Sequence, residues 1–176
     1  MKRISSDPSF EFEKYLSLTL EFECGPDDKG SFQKNDPGGF TRFGLSSRSY
    51  PDLSLANLTF AQAKLIYKSD FWEKARCREL PDRMAGYFLD TIVNCGITAG
   101  TKLLQRAIND QNKTKVNNVI IEIDGIIGPI TLHHSKNLDL SRLRYWRVKH
   151  YFDLVQKKPV LAVFLYGWYR RAVEYG

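Results

Sequence analysis

Phe10-Glu11-Phe12-Glu13-Lys14-Tyr15-Leu16-Ser17-Leu18-Thr19-Leu20-Glu21-Phe22-Glu23 runs into Cys24-Gly25-Pro26 and, after a polar insertion, into Asn35-Asp36-Pro37-Gly38-Gly39-Phe40-Thr41-Arg42-Phe43-Gly44. The fold turns on this stretch. Its opening alternation suits a strand, but Phe12, Leu16, Thr19, Leu20 and Glu23 recur at helical spacing, and a helix is the better reading. Asp7-Pro8 supplies an N-cap and a first helical position, and Gly25-Pro26 supplies a stop. Beyond the stop, Gly30, Pro37, Gly38, Gly39 and Gly44 surround Phe40, Thr41 and Phe43, a mixture that predicts turns and a small β-hairpin near residues 35–50.

Working outward, the pattern becomes helical. Thr59-Phe60-Ala61-Gln62 has the form of a capping box, and Ala63, Ile66, Tyr67, Asp70 and Phe71 follow at turn spacing. Asp82 to Cys95 carries Ala85, Phe88, Leu89 and Ile92 on one face with Gly96 as a stop. Thr98 to Asn109 continues through Leu103, Leu104, Ala107 and Ile108. Val119 to Ile123 suits a short strand or an extended lead into the turn Asp124-Gly125, and Pro129 stands near a helix start. Leu138 to Gln156 and Pro159 to Glu174 are both helical in period. The expected architecture is therefore mostly α, a helical two-lobed domain with residues 1–80 as one lobe and 81–176 as a second, packed as one unit.

Size and composition agree with that scheme. The 176 residues, 43% of them hydrophobic, are enough for one substantial core. No apolar run is long enough to span a bilayer, and Met1 to Pro8 lacks the apolar segment of a signal peptide, so synthesis in the cytoplasm without stable membrane insertion is expected. The net charge of +6 points to an anionic partner, with Arg142, Arg144, Arg147, Lys149, Lys157, Lys158, Arg170 and Arg171 crowding the last third. No helix-turn-helix, zinc-finger or RNA-recognition signature accompanies this charge, which argues against nucleic acid. Cys24, Cys77 and Cys95 form no C-x-x-C pair, so neither a disulfide framework nor a zinc site is expected, and no metal or cofactor is implied.

Among the residues able to carry chemistry, Glu23 stands out. It extends the stripe of Leu16 and Leu20 at the end of its helix, where one side faces the core and the other faces the glycine-rich segment. A carboxyl so placed has the partial burial that keeps an acid protonated near neutral pH. Asp36 and Thr41 are placed to project toward it from a turn and a strand, and Gly38 and Gly39 give a polymer unhindered access to the backbone, with Phe43 as a further contact. The same Asp36-Pro37-Gly38-Gly39 string also suits an ordinary turn. Asp90 and Asn94 share a helix face, suited to hydrogen-bonding substrate or to tying that helix to the loop carrying Asp36.

Glu23-Cys24-Gly25 followed by Asn35 to Leu45 resembles the signature of glycoside hydrolase family 108, whose members are lysozyme-like muramidases. The pattern there is roughly E-G-G, then D-P-G-G-x-T-x-x-G-I, with Cys24 here standing for a glycine. The resemblance continues through Phe71-Trp72, through Asp90-Thr91-Ile92-Val93-Asn94-Cys95-Gly96, through Leu104 to Ala107, and through Asp124-Gly125-Ile126-Ile127-Gly128-Pro129-Ile130-Thr131. The last string is similar to one in the predicted peptidoglycan-binding half of these proteins. The resemblance implies an α+β lysozyme-like fold, Glu23 as catalytic acid, and hydrolysis of the β-1,4 bond between N-acetylmuramic acid and N-acetylglucosamine. It implies peptidoglycan glycan strands as the partner of a monomer acting on the cell wall or in the periplasm after release or export. A weakly active or inactive wall-binding protein that assists secretion is the alternative.

Overall fold

The computed structural model describes residues 8–23, 29–32, 39–114 and 118–175, and the chain divides between Asp70 and Phe71 into two compact units. In the first, helix α1 (Pro8–Glu23) begins on its proline, whose missing N–H costs nothing at a first helical position. Phe12, Tyr15, Leu16, Thr19 and Leu20 are all buried, and their spacing makes one apolar stripe. An ion pair between Lys64 and Glu13 joins α1 to helix α2 (Phe60–Tyr67).

The capping box at the head of α2 is formed as the sequence predicts. The Gln62 amide donates to Thr59 Oγ1 at 3.2 Å, and the Thr59 amide donates to Gln62 Oε1 at 2.9 Å. Two of the orphan donors at the helix start are thereby satisfied. The helix ends earlier than the apolar spacing suggests, because the chain widens into a π-helical turn at Lys68–Glu73 that carries the buried Trp72.

Between the helices lies an antiparallel sheet of three short strands in the order β1 (Ser31–Phe32), β2 (Phe40–Arg42), β3 (Leu45–Ser46). The expected hairpin is β2–β3, and β1 adds a third strand ahead of it through the pairs Ser31 with Thr41 and Phe32 with Phe40.

The second unit is helical: α3 (Asp82–Cys95), α4 (Ile97–Asn112), α5 (Pro129–Ser135), α6 (Leu140–Lys157) and α7 (Ala162–Glu174), with a 3-10 turn at Pro159–Leu161 before α7. Its core gathers Phe88, Leu89, Ile92, Leu103, Leu104, Ala107 and Leu143, each essentially without exposed surface. Residues 119–123 have no regular secondary structure and join no sheet. Instead the side chains of α4 pair with them. Asn109 donates to the Ile121 carbonyl and accepts from its amide, both at 2.8 Å, reproducing with one carboxamide the exchange a neighbouring strand would make. One turn further, Asn112 Nδ2 donates to the Val119 carbonyl at 2.8 Å. One turn earlier, Gln105 Nε2 donates to Asp124 Oδ1 at 2.6 Å and to the Ile126 carbonyl at 3.1 Å, while its Oε1 accepts from the Gly125 amide at 2.9 Å. Asp124 Oδ1 also accepts from the Ile126 amide at 2.8 Å. The string Asp124 to Thr131 is thus held by an amide ladder on one face of α4, which accounts for its polar residues structurally.

Candidate active site

The turn between β2 and β3 is two residues long, Phe43-Gly44, and both have positive φ, +49° and +75°. Two such residues make the mirror-image turn whose twist suits a tight hairpin. Glycine adopts this at no steric cost, but a phenylalanine there is strained. Burial offsets the strain: the Phe43 ring is 2% exposed and packs edge-on to Phe60 with centroids 5.5 Å apart. Its carbonyl also accepts from the Tyr67 hydroxyl at 2.9 Å. Arg42 donates to the Ala56 carbonyl and fixes the sheet to the following 3-10 turn.

This turn orients β2, the central strand. Thr41 lies at its middle, between Ser31 of β1 and Ser46 of β3. Its Oγ1 is buried and has no hydrogen-bond partner among the described residues. A buried hydroxyl without a partner costs free energy, so a strand that keeps one invites a functional explanation. Just before β2, Gly39 has φ +77°, and a Cβ there would come 2.5 Å from Ser47 Oγ. Its left-handed backbone is one that L side chains rarely adopt, which favours glycine at that entry. Glu23 is the last residue of α1, and its side chain is outside the described structure, as are Asp36 and Gly38 altogether.

The first unit also brings together two residues to which the sequence reading gives no chemical part. Tyr50 donates to Asp70 Oδ2 at 3.1 Å at the edge of a hollow of about 380 Å³ lined also by Asp52 and Ile66. Burial, with the Asp70 carboxylate beside it, pushes the Tyr50 phenol up to about 12. Twenty residues separate the two, and nothing in their local sequence signals the pairing. Among the described residues no group of three or more His, Cys, Asp or Glu side chains is placed to hold a metal ion.

Asp90 and Asn94 belong to the second unit, and both are engaged there. Asp90 has no exposed surface and faces two arginines. Arg171 Nη2 donates to its Oδ1 at 2.6 Å, and Arg147 Nη2 lies 2.7 Å from its Oδ2. One carboxylate against two guanidiniums leaves the cluster a net positive charge. The rings of Tyr87 and Tyr151, 5.3 and 5.7 Å from the Arg147 guanidinium, offer it their negative faces. Arg147 Nε donates to the Tyr151 hydroxyl at 2.8 Å, which donates in turn to Asn94 Oδ1 at 2.7 Å. The chain of contacts ties α3 to α6 and α7. Arg147 and Arg171, expected with the surface cations, are therefore core residues, whereas Arg170 is exposed and pairs with Glu174.

Comparison with known proteins places these observations. A search of curated protein sequences finds no match. The solved structure of SagA from Brucella abortus superposes with a TM-score of 0.72 at 22% identity, covering 93% of this chain and 90% of that one. That likeness establishes the fold, a mostly helical α+β lysozyme-like arrangement. The family model for glycosyl hydrolase 108 matches residues 16–96, from the buried stripe of α1 through the sheet to the end of α3. Over that span, Leu16 to Gly96, a little under half of the chain, the sequence is similar to the glycosyl hydrolase 108 family.

Proposed function

We propose that this chain hydrolyses the β-1,4 bond between N-acetylmuramic acid and N-acetylglucosamine in peptidoglycan, with Glu23 as general acid. The observation that carries the reading is the family match over residues 16–96, which contains Glu23 and the whole sheet. Glycoside cleavage needs one carboxylic acid to protonate the leaving oxygen and a second group to hold or activate water, or to act as nucleophile. Glu23 follows the buried Leu16 and Leu20 in helical register, and desolvation is the usual means by which an acid in this role stays protonated near neutral pH. Asp36 is the proposed partner carboxylate. Thr41, whose hydroxyl on the central strand has no partner among the described residues, is proposed to hold the attacking water. Gly38 and Gly39 admit the glycan backbone, and Asn94 is retained as a substrate contact. Phe43 and Asp90, with 2% and 0% of their surface exposed, are assigned structural parts. Beyond residue 96 the second half contributes wall recognition in this proposal, and the protein acts as a monomer at the wall or in the periplasm after release or export.

Glu23→Gln keeps the shape of the side chain but cannot donate a proton, so wall lysis is expected to fall by at least about a hundredfold. Circular dichroism and melting temperature should stay as in the parent. Asp36→Asn should lower turnover comparably. Lysis by Glu23→Gln within a few-fold of the parent would remove Glu23 from the mechanism.

A further inference from the structure

From Pro159 to Tyr169 eleven residues pass without a charge. A helix apolar on all sides belongs in a core, yet α7 packs on one side only. There Ala172 is buried, and Trp168 stacks between Tyr151 and Phe164, with centroids at 5.2 and 5.7 Å. The other side is bare. Val160, Val163 and Tyr166, three residues apart, are 78%, 79% and 77% exposed, and Phe164 and Phe152 beside them are about half exposed.

The charges around this stripe are mostly positive, its flanking acids Asp153 and Glu174 being paired with Lys149 and Arg170. Between Asp153 and Glu174 the chain holds Lys157, Lys158, Arg170 and Arg171 and no acidic residue. Lys157, Lys158 and Arg170 are exposed, two at the head of the stripe and one at its far end. Ile120, Ile123 and Ile126 of this unit are also exposed, but they lie beside Glu122 and Asp124. A second copy is a poor occupant. A two-fold pairing sets the same patch against itself, and offers Lys157 and Lys158 no acid but Asp153 and Glu174, which already pair with Lys149 and Arg170. A surface that takes apolar side chains and carries negative charge fits both features. At about 1.5 Å per residue, the thirteen residues of α7 reach about 20 Å, short of a bilayer core of about 30 Å. Such a helix lies along the headgroup boundary.

We infer that the α6–α7 hairpin docks on an anionic lipid bilayer, with Val160, Val163, Phe164 and Tyr166 in the headgroup boundary and Lys157, Lys158 and Arg170 against lipid phosphates. The inference does not rest on the proposed hydrolysis. The test is flotation of the full chain with vesicles of equal parts phosphatidylglycerol and phosphatidylcholine, against vesicles of phosphatidylcholine alone. Binding is expected to the anionic vesicles only, weakened by high salt. Val163→Asp combined with Tyr166→Asp should lower affinity at least tenfold at unchanged melting temperature, since both side chains project into solvent. Lys157→Gln with Lys158→Gln should lower it roughly thirtyfold. Three results would overturn the inference: no binding to anionic vesicles, equal binding by the acidic variant, or a concentration-dependent dimer that Val163→Asp dissolves.

Discussion

Asp90 shows how a residue's chemistry is set by what faces it. By sequence it is an acid on a helix face, one turn from Asn94, and equally suited to substrate or to scaffold. In the structure both of its oxygens are taken by Arg147 and Arg171, with no surface left. Removing one member of a buried ion cluster strands the rest, at a cost of about 3–5 kcal/mol. Asp90→Asn should therefore lower stability by that order in urea unfolding, while activity per folded molecule is kept. Unchanged stability with lost turnover would return Asp90 to the substrate. The same local logic explains why the two arginines looked like surface charge in the sequence. Composition records a guanidinium but not its partner, and Asp90 lies fifty-seven residues before Arg147 and eighty-one before Arg171.

At the scale of elements, legibility follows from where the hydrogen bonds go. α1, α2 and α3 were readable because their apolar stripes, starting prolines and caps are local signals, and the capping box of Thr59 and Gln62 formed as its spacing required. The segment 119–123 was not, because its partner is the row Gln105, Asn109 and Asn112, amides that look like ordinary exposed helix positions in a sequence. The same holds for β1, two residues whose pairing depends on β2 further along the chain. The motif around Glu23 and Asp36 is read from the sequence alone, while the Thr41 hydroxyl without a partner among the described residues and the strained Phe43 turn required coordinates.

If the amide row is what holds 119–126, Asn109→Ala leaves the Ile121 amide and carbonyl unpaired and should cost about 1–3 kcal/mol. Hydrogen exchange at Ile121 should then speed up more than at other amides of the unit. Uniform acceleration would show that Asn109 supports the unit generally. The row also sets a pH dependence. The Gln105 amide, then the Ile126 N–H, hold Asp124 below the usual carboxylate range. A depressed pKa in the folded state contributes stability above the unfolded value of about 3.9, and that contribution is lost as pH falls through the folded value. The melting temperature of the parent should thus drop more between pH 5 and pH 3 than that of Asp124→Asn. Parallel curves would show that this carboxylate is not coupled to folding.

For the whole molecule, the hydrolase reading rests on a family segment that ends at Gly96 and on a fold shared over most of the chain. Glycan cleavage leaves a chemical record that binding or scaffolding does not. The most direct measurement is mass spectrometry of borohydride-reduced fragments released from purified peptidoglycan by the full chain. Reduced N-acetylmuramic acid at the new ends is the predicted result. Reduced N-acetylglucosamine, cut stem peptides, or no release of fragments would contradict the account.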